Sequence, residues 1–168
     1  MSSYLYAAYG SNLHPVRLQR RVSSASLVGT CLLPGHDLRF HKIGRLDGSG
    51  KCSIVSGEKG VYLAVFEIEE SQQSALDRVE GLNQGYNAVY FKTEEFGRCF
   101  SYVADASAID NTKKPMDWYK EMVLLGCRVN EFPIDYVRQI ENVPSIVDPD
   151  RVRAARQWGI VEELRRAR

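Results

Sequence analysis

The sequence predicts an α+β fold, a β-rich middle flanked by helices. Three observations carry this. Short apolar and aromatic residues from Tyr4 to Tyr9 read as a strand that Gly10-Ser11-Asn12 breaks. Val61 to Ile68 is an almost continuous apolar run, the strongest strand signal in the chain. From Pro115 onward the apolar period becomes helical, with Trp118, Met122, Leu125 and Val129 on one face. A length of 168 residues with 44% hydrophobic and 26% charged side chains suits one domain, 1–168, with enough chain to bury a core.

In order along the chain, the first strand and loop lead into a short amphipathic helix expected over His14 to Val22. Pro15 falls in its first turn, where a missing N–H costs nothing. Strand-type runs follow at Leu27-Val28, Leu32-Leu33 and Leu38 to Phe40, punctuated by Pro34-Gly35. Five glycines between Gly44 and Gly60 predict a long mobile loop in which only Cys52 to Val55 is ordered. Its spacing approaches a phosphate-binding loop, but Cys52 stands where the magnesium-binding hydroxyl belongs, so nucleotide binding is rejected. Val61 to Ile68 should be a central core strand.

Ser71 to Gly81 reads as a helix capped by Ser71 or Ser74, with Leu76 and Val79 facing inward and Gly81 as its stop. Tyr86 to Phe96 and Arg98 to Ala104 alternate like a hairpin around Gly97. A helix opening at Pro115 and a second from Ile134 to Glu141 form an antiparallel pair. The last helix, Pro149 to Arg168, carries Val152, Ala155, Trp158 and Val161 on one side. It is expected to pack across the body or against a second copy.

A formal net charge of +1 gives no overall field towards nucleic acid or a membrane surface. The charge is uneven, with seven acids from Glu67 to Glu95 and six arginines from Arg151 to Arg168. The arginine-rich tail is read as a solvated helix face rather than a nucleic-acid site. No leader pattern and no membrane-length apolar run is seen, so a cytoplasmic location is expected. Cys31, Cys52, Cys99 and Cys127 are widely spaced and lack neighbouring histidines, which suggests buried reduced thiols and neither a metal site nor disulfides.

Two features carry candidate chemistry. In Tyr9-Gly10-Ser11-Asn12-Leu13 the glycine permits a sharp turn and successive N–H groups follow at a helix entrance, an anion-binding geometry. Such a tripeptide alone is ordinarily a turn. The second feature is Glu80, placed at the last residue of its helix, where the partial negative charge favours cations. That misfit marks Glu80 as a functional candidate and pushes its carboxyl towards a higher pKa. Tyr86, Tyr90 and Tyr102 either line a pocket or fill the core.

Together, the Tyr-Gly-Ser-Asn-Leu motif at Tyr9 to Leu13, Leu76-Asp77-Arg78-Val79-Glu80-Gly81, Tyr86 and Tyr119 resemble the gamma-glutamylcyclotransferase family, in motif order as well as content, over roughly Tyr4 to Glu141. The resemblance implies a small mixed β-barrel flanked by helices, with the cavity at its mouth. It implies Glu80 as the single catalytic carboxylate and a substrate-binding cradle over Tyr6, Ala7, Ala8, Tyr9, Gly10, Ser11, Asn12 and Leu13, with Tyr86 and Tyr119 in the pocket. It implies release of 5-oxoproline from a small γ-glutamyl compound without metal or other cofactor, and it is compatible with a homodimer. The loop N–H groups serve either the α-carboxylate or the developing oxyanion. The rival reading keeps the fold as a non-catalytic binding module for γ-glutamyl or other carboxylate ligands.

Overall fold

The structure is a computed structural model describing residues 1–167. Strand β1 (Ser3–Ala8) leads through the loop to helix α1 (Pro15–Arg21), then β2 (Ser26–Leu33), β3 (His36–Ile43), β4 (Gly50–Ser56) and β5 (Val61–Glu69). Helix α2 (Gln73–Glu80), the hairpin β6 (Tyr86–Thr93) and β7 (Gly97–Ala104), and helices α3 (Asp117–Val129), α4 (Ile134–Glu141) and α5 (Arg151–Arg166) complete the chain.

Five strands form one sheet in the order β2-β5-β1-β7-β6, while β3 and β4 pair only with each other. Strand β1 runs antiparallel to β5 and parallel to β7, so the sheet is mixed. The expected barrel is therefore open. β2 and β6 remain as edges, and the β3–β4 hairpin meets the main sheet through side chains, as where Ala104 N donates to Ser53 Oγ at 3.0 Å. β5 is an interior strand, with Val61 and Leu63 to Phe66 fully buried.

The predicted mobile loop is a correction. Gly50–Ser56 is a regular strand, and the turn before it is closed by Asp47, which accepts from Ser49 N at 2.9 Å and from Lys51 Nζ at 2.9 Å. Gly50 is a packing requirement, since a Cβ there would strike the Phe40 carbonyl oxygen. A glycine that reads as flexibility in the sequence here marks two backbones in contact.

Helix α1 begins at Pro15, and His14 is its cap, accepting from Val16 N through Nδ1 at 3.2 Å. Helix α2 ends as expected at Glu80, with Gly81 in the left-handed region at φ 75°, but neither Ser71 nor Ser74 caps its start. The buried face of α3 is broader than the predicted stripe. Trp118 and Met122 are buried as expected, Tyr119, Val123, Leu124, Gly126 and Cys127 are buried with them, and Val129 is exposed. On the added face, the missing side chain of Gly126 lets Leu13 lie directly on the helix; a Cβ there would collide with Leu13 Cβ. On α5, Val152 is exposed and Val161 and Leu164 are buried, because the helix packs on α3 through its C-terminal half.

Candidate functional site

The site forms where β1 ends. Its loop is held from behind by α3: Asn130 Nδ2 donates at 2.8 Å to both Leu13 O and Gly126 O. Gly10 lies where a Cβ would come within 2.9 Å of Cys52 Cβ and 3.7 Å of the Tyr119 hydroxyl, so the backbone can approach β4 only as glycine. No partner for the backbone N–H of Ser11 or Asn12 is found among the described residues. These groups border a narrow recess with a volume of about 30 Å³, lined also by Tyr6, Tyr9, Glu80, Tyr86 and Tyr119.

Glu80 reaches this recess from the C-terminus of α2. Its Oε1 accepts from the Tyr6 hydroxyl at 2.8 Å and from Asn12 Nδ2, and Arg21 fixes Asn12 by donating to its Oδ1 at 3.2 Å. No donor reaches Oε2 among the described residues. Both anchors therefore hold one oxygen and leave the other for a ligand. Burial pushes the Glu80 carboxyl above its ordinary pKa, and the Tyr6 hydrogen bond, Arg21, Asn12 and Arg17 only partly oppose it. The sequence anticipated the direction but assigned it to the helix end; enclosure is the larger cause.

The tyrosines spend their hydroxyls on architecture. Tyr86 donates to Cys52 O at 2.7 Å, and Tyr119 accepts from Cys52 N at 3.0 Å, so both brace β4 while their rings wall the recess. Tyr9 donates to the carbonyl of Tyr102. Three residues of the expected cradle lie elsewhere. Ala7 and Ala8 are enclosed in β1, with the Ala7 carbonyl accepting from Ser101 Oγ at 2.7 Å, and Leu13 points into the core against Gly126. The recess adds Tyr102, which the sequence left between pocket and core, and Cys52 and Ser101, which no local pattern in the sequence marked. The Cys52 thiol is pushed far above the usual range by burial, which disqualifies it as a nucleophile.

Ser11, Glu80, Tyr86 and Tyr119 also border a wider outer cleft of about 300 Å³, which opens between α1, the β3–β4 turn and α5. A larger cavity of about 690 Å³ lies between β3 and α4 and contains none of the candidate residues. No cluster of metal-ligating side chains occurs among the described residues.

A half-buried carboxyl held by neutral donors thus stands beside a loop whose Ser11 and Asn12 N–H groups have no partner among the described residues. The fold is that of a solved structure described as gamma-glutamyl cyclotransferase, with a TM-score of 0.84 and 24% identity across 96% of this chain and 99% of that one. In sequence, the chain is 26% identical over 149 residues to gamma-glutamylcyclotransferase of Bos taurus and 27% identical over 151 residues to that of Homo sapiens, covering 84% of this chain and 79% of each relative. No protein-family model matches. In fold and in sequence the chain is similar to the gamma-glutamylcyclotransferases.

Proposed function

We propose that the chain cyclises γ-glutamyl compounds, the α-amine attacking the γ-carbonyl to give 5-oxoproline and a free amino acid or amine. The observation that carries this reading is the placement of Glu80, with one oxygen anchored by Tyr6 and Asn12 and the other open to the recess. The incoming ammonium must lose a proton, and the departing nitrogen must gain one. Oε2 accepts the first proton and returns it to the leaving group, a transfer worth about 10²–10⁴ in rate. A raised pKa suits a group that must both take and give.

The unpaired N–H groups of Ser11 and Asn12 stabilise either the α-carboxylate or the carbonyl oxygen as it becomes negative. Tyr86 and Tyr119 hold the substrate folded so that amine and carbonyl meet. The recess alone has room for little more than a water or two, so the ligand extends through the shared mouth into the outer cleft. The same proposal takes the chain as one domain acting in the cytoplasm. Among the described residues no helix is long and apolar enough to cross a membrane.

The test is 5-oxoproline release from γ-glutamyl-alanine, glutathione and γ-glutamyl-ε-lysine. Release from one of them is expected. Saturable binding with no product from any would replace catalysis by the binding-module reading.

A further inference from the structure

The outer cleft carries more positive charge than the reaction needs. Of the cations bordering it, Lys51 is paired with Asp47 at 2.9 Å, and Arg153 with Asp148 at 2.6 Å. Arg17, Arg21, Lys42 and Arg45 have no carboxylate partner among the described residues. Arg17 is the most demanding of them. It is 9% exposed, its Nε is buried without a partner, and nothing among the described residues hydrogen-bonds its guanidinium. Burial and the neighbouring Arg21 pull its pKa down to about 9.

Lys42 is 4% exposed, with Nζ over the Tyr86 ring at 4.7 Å. Arg45 lies alongside Gly81, next to Glu80 in the chain. Burying an unpaired cation is costly, and a site that does so is completed by an anion. The two carboxylates bordering the cleft do not pair with them: Asp47 is occupied by Lys51 and Ser49, and Glu80, whose charge acts on Arg17, Arg21 and Lys42 without forming an ion pair among the described residues, is one negative charge against four cations. A chain of net charge +1 has concentrated around one opening four cations that lack a carboxylate partner among the described residues.

We propose that this cleft receives a leaving amino acid with two carboxylates, so that the preferred substrates are γ-glutamyl-dicarboxylic amino acids such as γ-glutamyl-glutamate. The inference rests on the cyclisation reading, which puts the glutamyl end at Glu80 and the leaving group outward. The main-chain carboxylate of an ordinary leaving amino acid engages only part of the cluster. A side-chain carboxylate engages the rest, and bidentate guanidinium contacts make the choice geometric as well as electrostatic.

The experiment compares γ-glutamyl-glutamate with γ-glutamyl-glutamine, nearly the same in shape but neutral in the side chain. We expect kcat/KM at least about tenfold higher for the glutamate compound, carried by KM, shrinking as salt rises. Arg45→Gln, at an exposed position, should narrow the ratio. Equal values, or a preference for the glutamine compound, would overturn the inference while leaving cyclisation intact. Should neither compound be turned over, cyclisation of this class is contradicted, and calorimetric binding of the same pair decides the cleft. Tighter binding of the glutamate compound by about tenfold supports the anion receptor; equal or undetectable binding of both overturns it.

Discussion

Two carboxylates near the first turn of helix α3, Asp148 and Glu80, are treated in opposite ways. Asp148 is 4% exposed and saturated: it accepts from Arg153 Nε at 2.7 Å, Arg153 Nη2 at 2.6 Å, Trp118 Nε1 at 3.0 Å and Asp150 N at 2.9 Å. Arg153, the backbone N–H and Trp118 hold its pKa well below the carboxylate range. Glu80 has neutral donors on one oxygen, no ion pair among the described residues, and a raised pKa. Adjacent residues of α3 serve the two regions, Trp118 bonding Asp148 and Tyr119 walling the recess. One acid fastens the fold, and the other is kept unsatisfied at some cost in stability, as expected of a group reserved for chemistry.

The contrast predicts opposite responses to neutralisation. The largest effect should be on turnover, where Glu80→Gln is expected to lower 5-oxoproline release by about 10²–10⁴. The same variant should be more thermally stable than wild type at neutral pH. A carboxyl with a raised folded pKa favours the folded state while protonated, below its ordinary value, and that contribution is lost as pH rises through the raised one. The gain should therefore vanish in acid, and thermal unfolding against pH would show it.

Asp148→Asn should do the reverse, costing about 3 kcal/mol near neutrality by removing the near counter-ion of Arg153 and leaving it only Asp150, at 3.9 Å. Its folded pKa is depressed, so the stability it contributes is present above the ordinary carboxylate pKa and lost as pH falls through the depressed one. Chemical denaturation at two pH values would check this. If both variants destabilise alike, the proposed division of labour fails.

Two smaller effects sharpen the comparison. Gly126→Ala forces a methyl against Leu13 and should cost about 1–3 kcal/mol, displacing the loop while leaving the Asp148 cluster alone. A rise in KM together with lower stability would confirm that α3 positions the cradle. Tyr6→Phe removes one donor from Oε1 and is expected to slow the reaction about tenfold, by roughly 1–2 kcal/mol. Steady-state kinetics on the folded variant measures it.

Much of the fold was legible because burial repeats with the period of each element. Val61 to Ile68, Ile134 to Glu141 and the end of α2 at Glu80-Gly81 fall where the sequence puts them. The failures share a cause, which is that tertiary contact overrode local signal. Gly50 looked like loop but meets Phe40, and Gly126 brings Leu13 onto a face of α3 beside its apparent stripe. Val152 looked inward on an arginine-rich helix that is instead tied at its start by Arg153 and Asp148.

At the site, Glu80 and the loop could be picked out because each breaks a local rule, a carboxylate at a helix end and a strand ended by three small residues. Arg17 and Arg21 were visible only as charges on an amphipathic helix, although their i, i+4 spacing does place them on one face. That this face closes over the cleft, and that Lys42 and Arg45 meet it from the β3–β4 turn, depends on long-range packing that no local pattern encodes.

The measurement that bears most directly on the account is the pH dependence of kcat/KM for 5-oxoproline release, in wild type and in Tyr6→Phe. An acid limb is predicted with its midpoint above the ordinary glutamate value of about 4.3, displaced upward when the Tyr6 hydroxyl is removed, because that hydrogen bond favours the ionised form. Activity that stays level through this range, or a limb that Tyr6→Phe leaves in place, would contradict the assignment of proton transfer to Glu80.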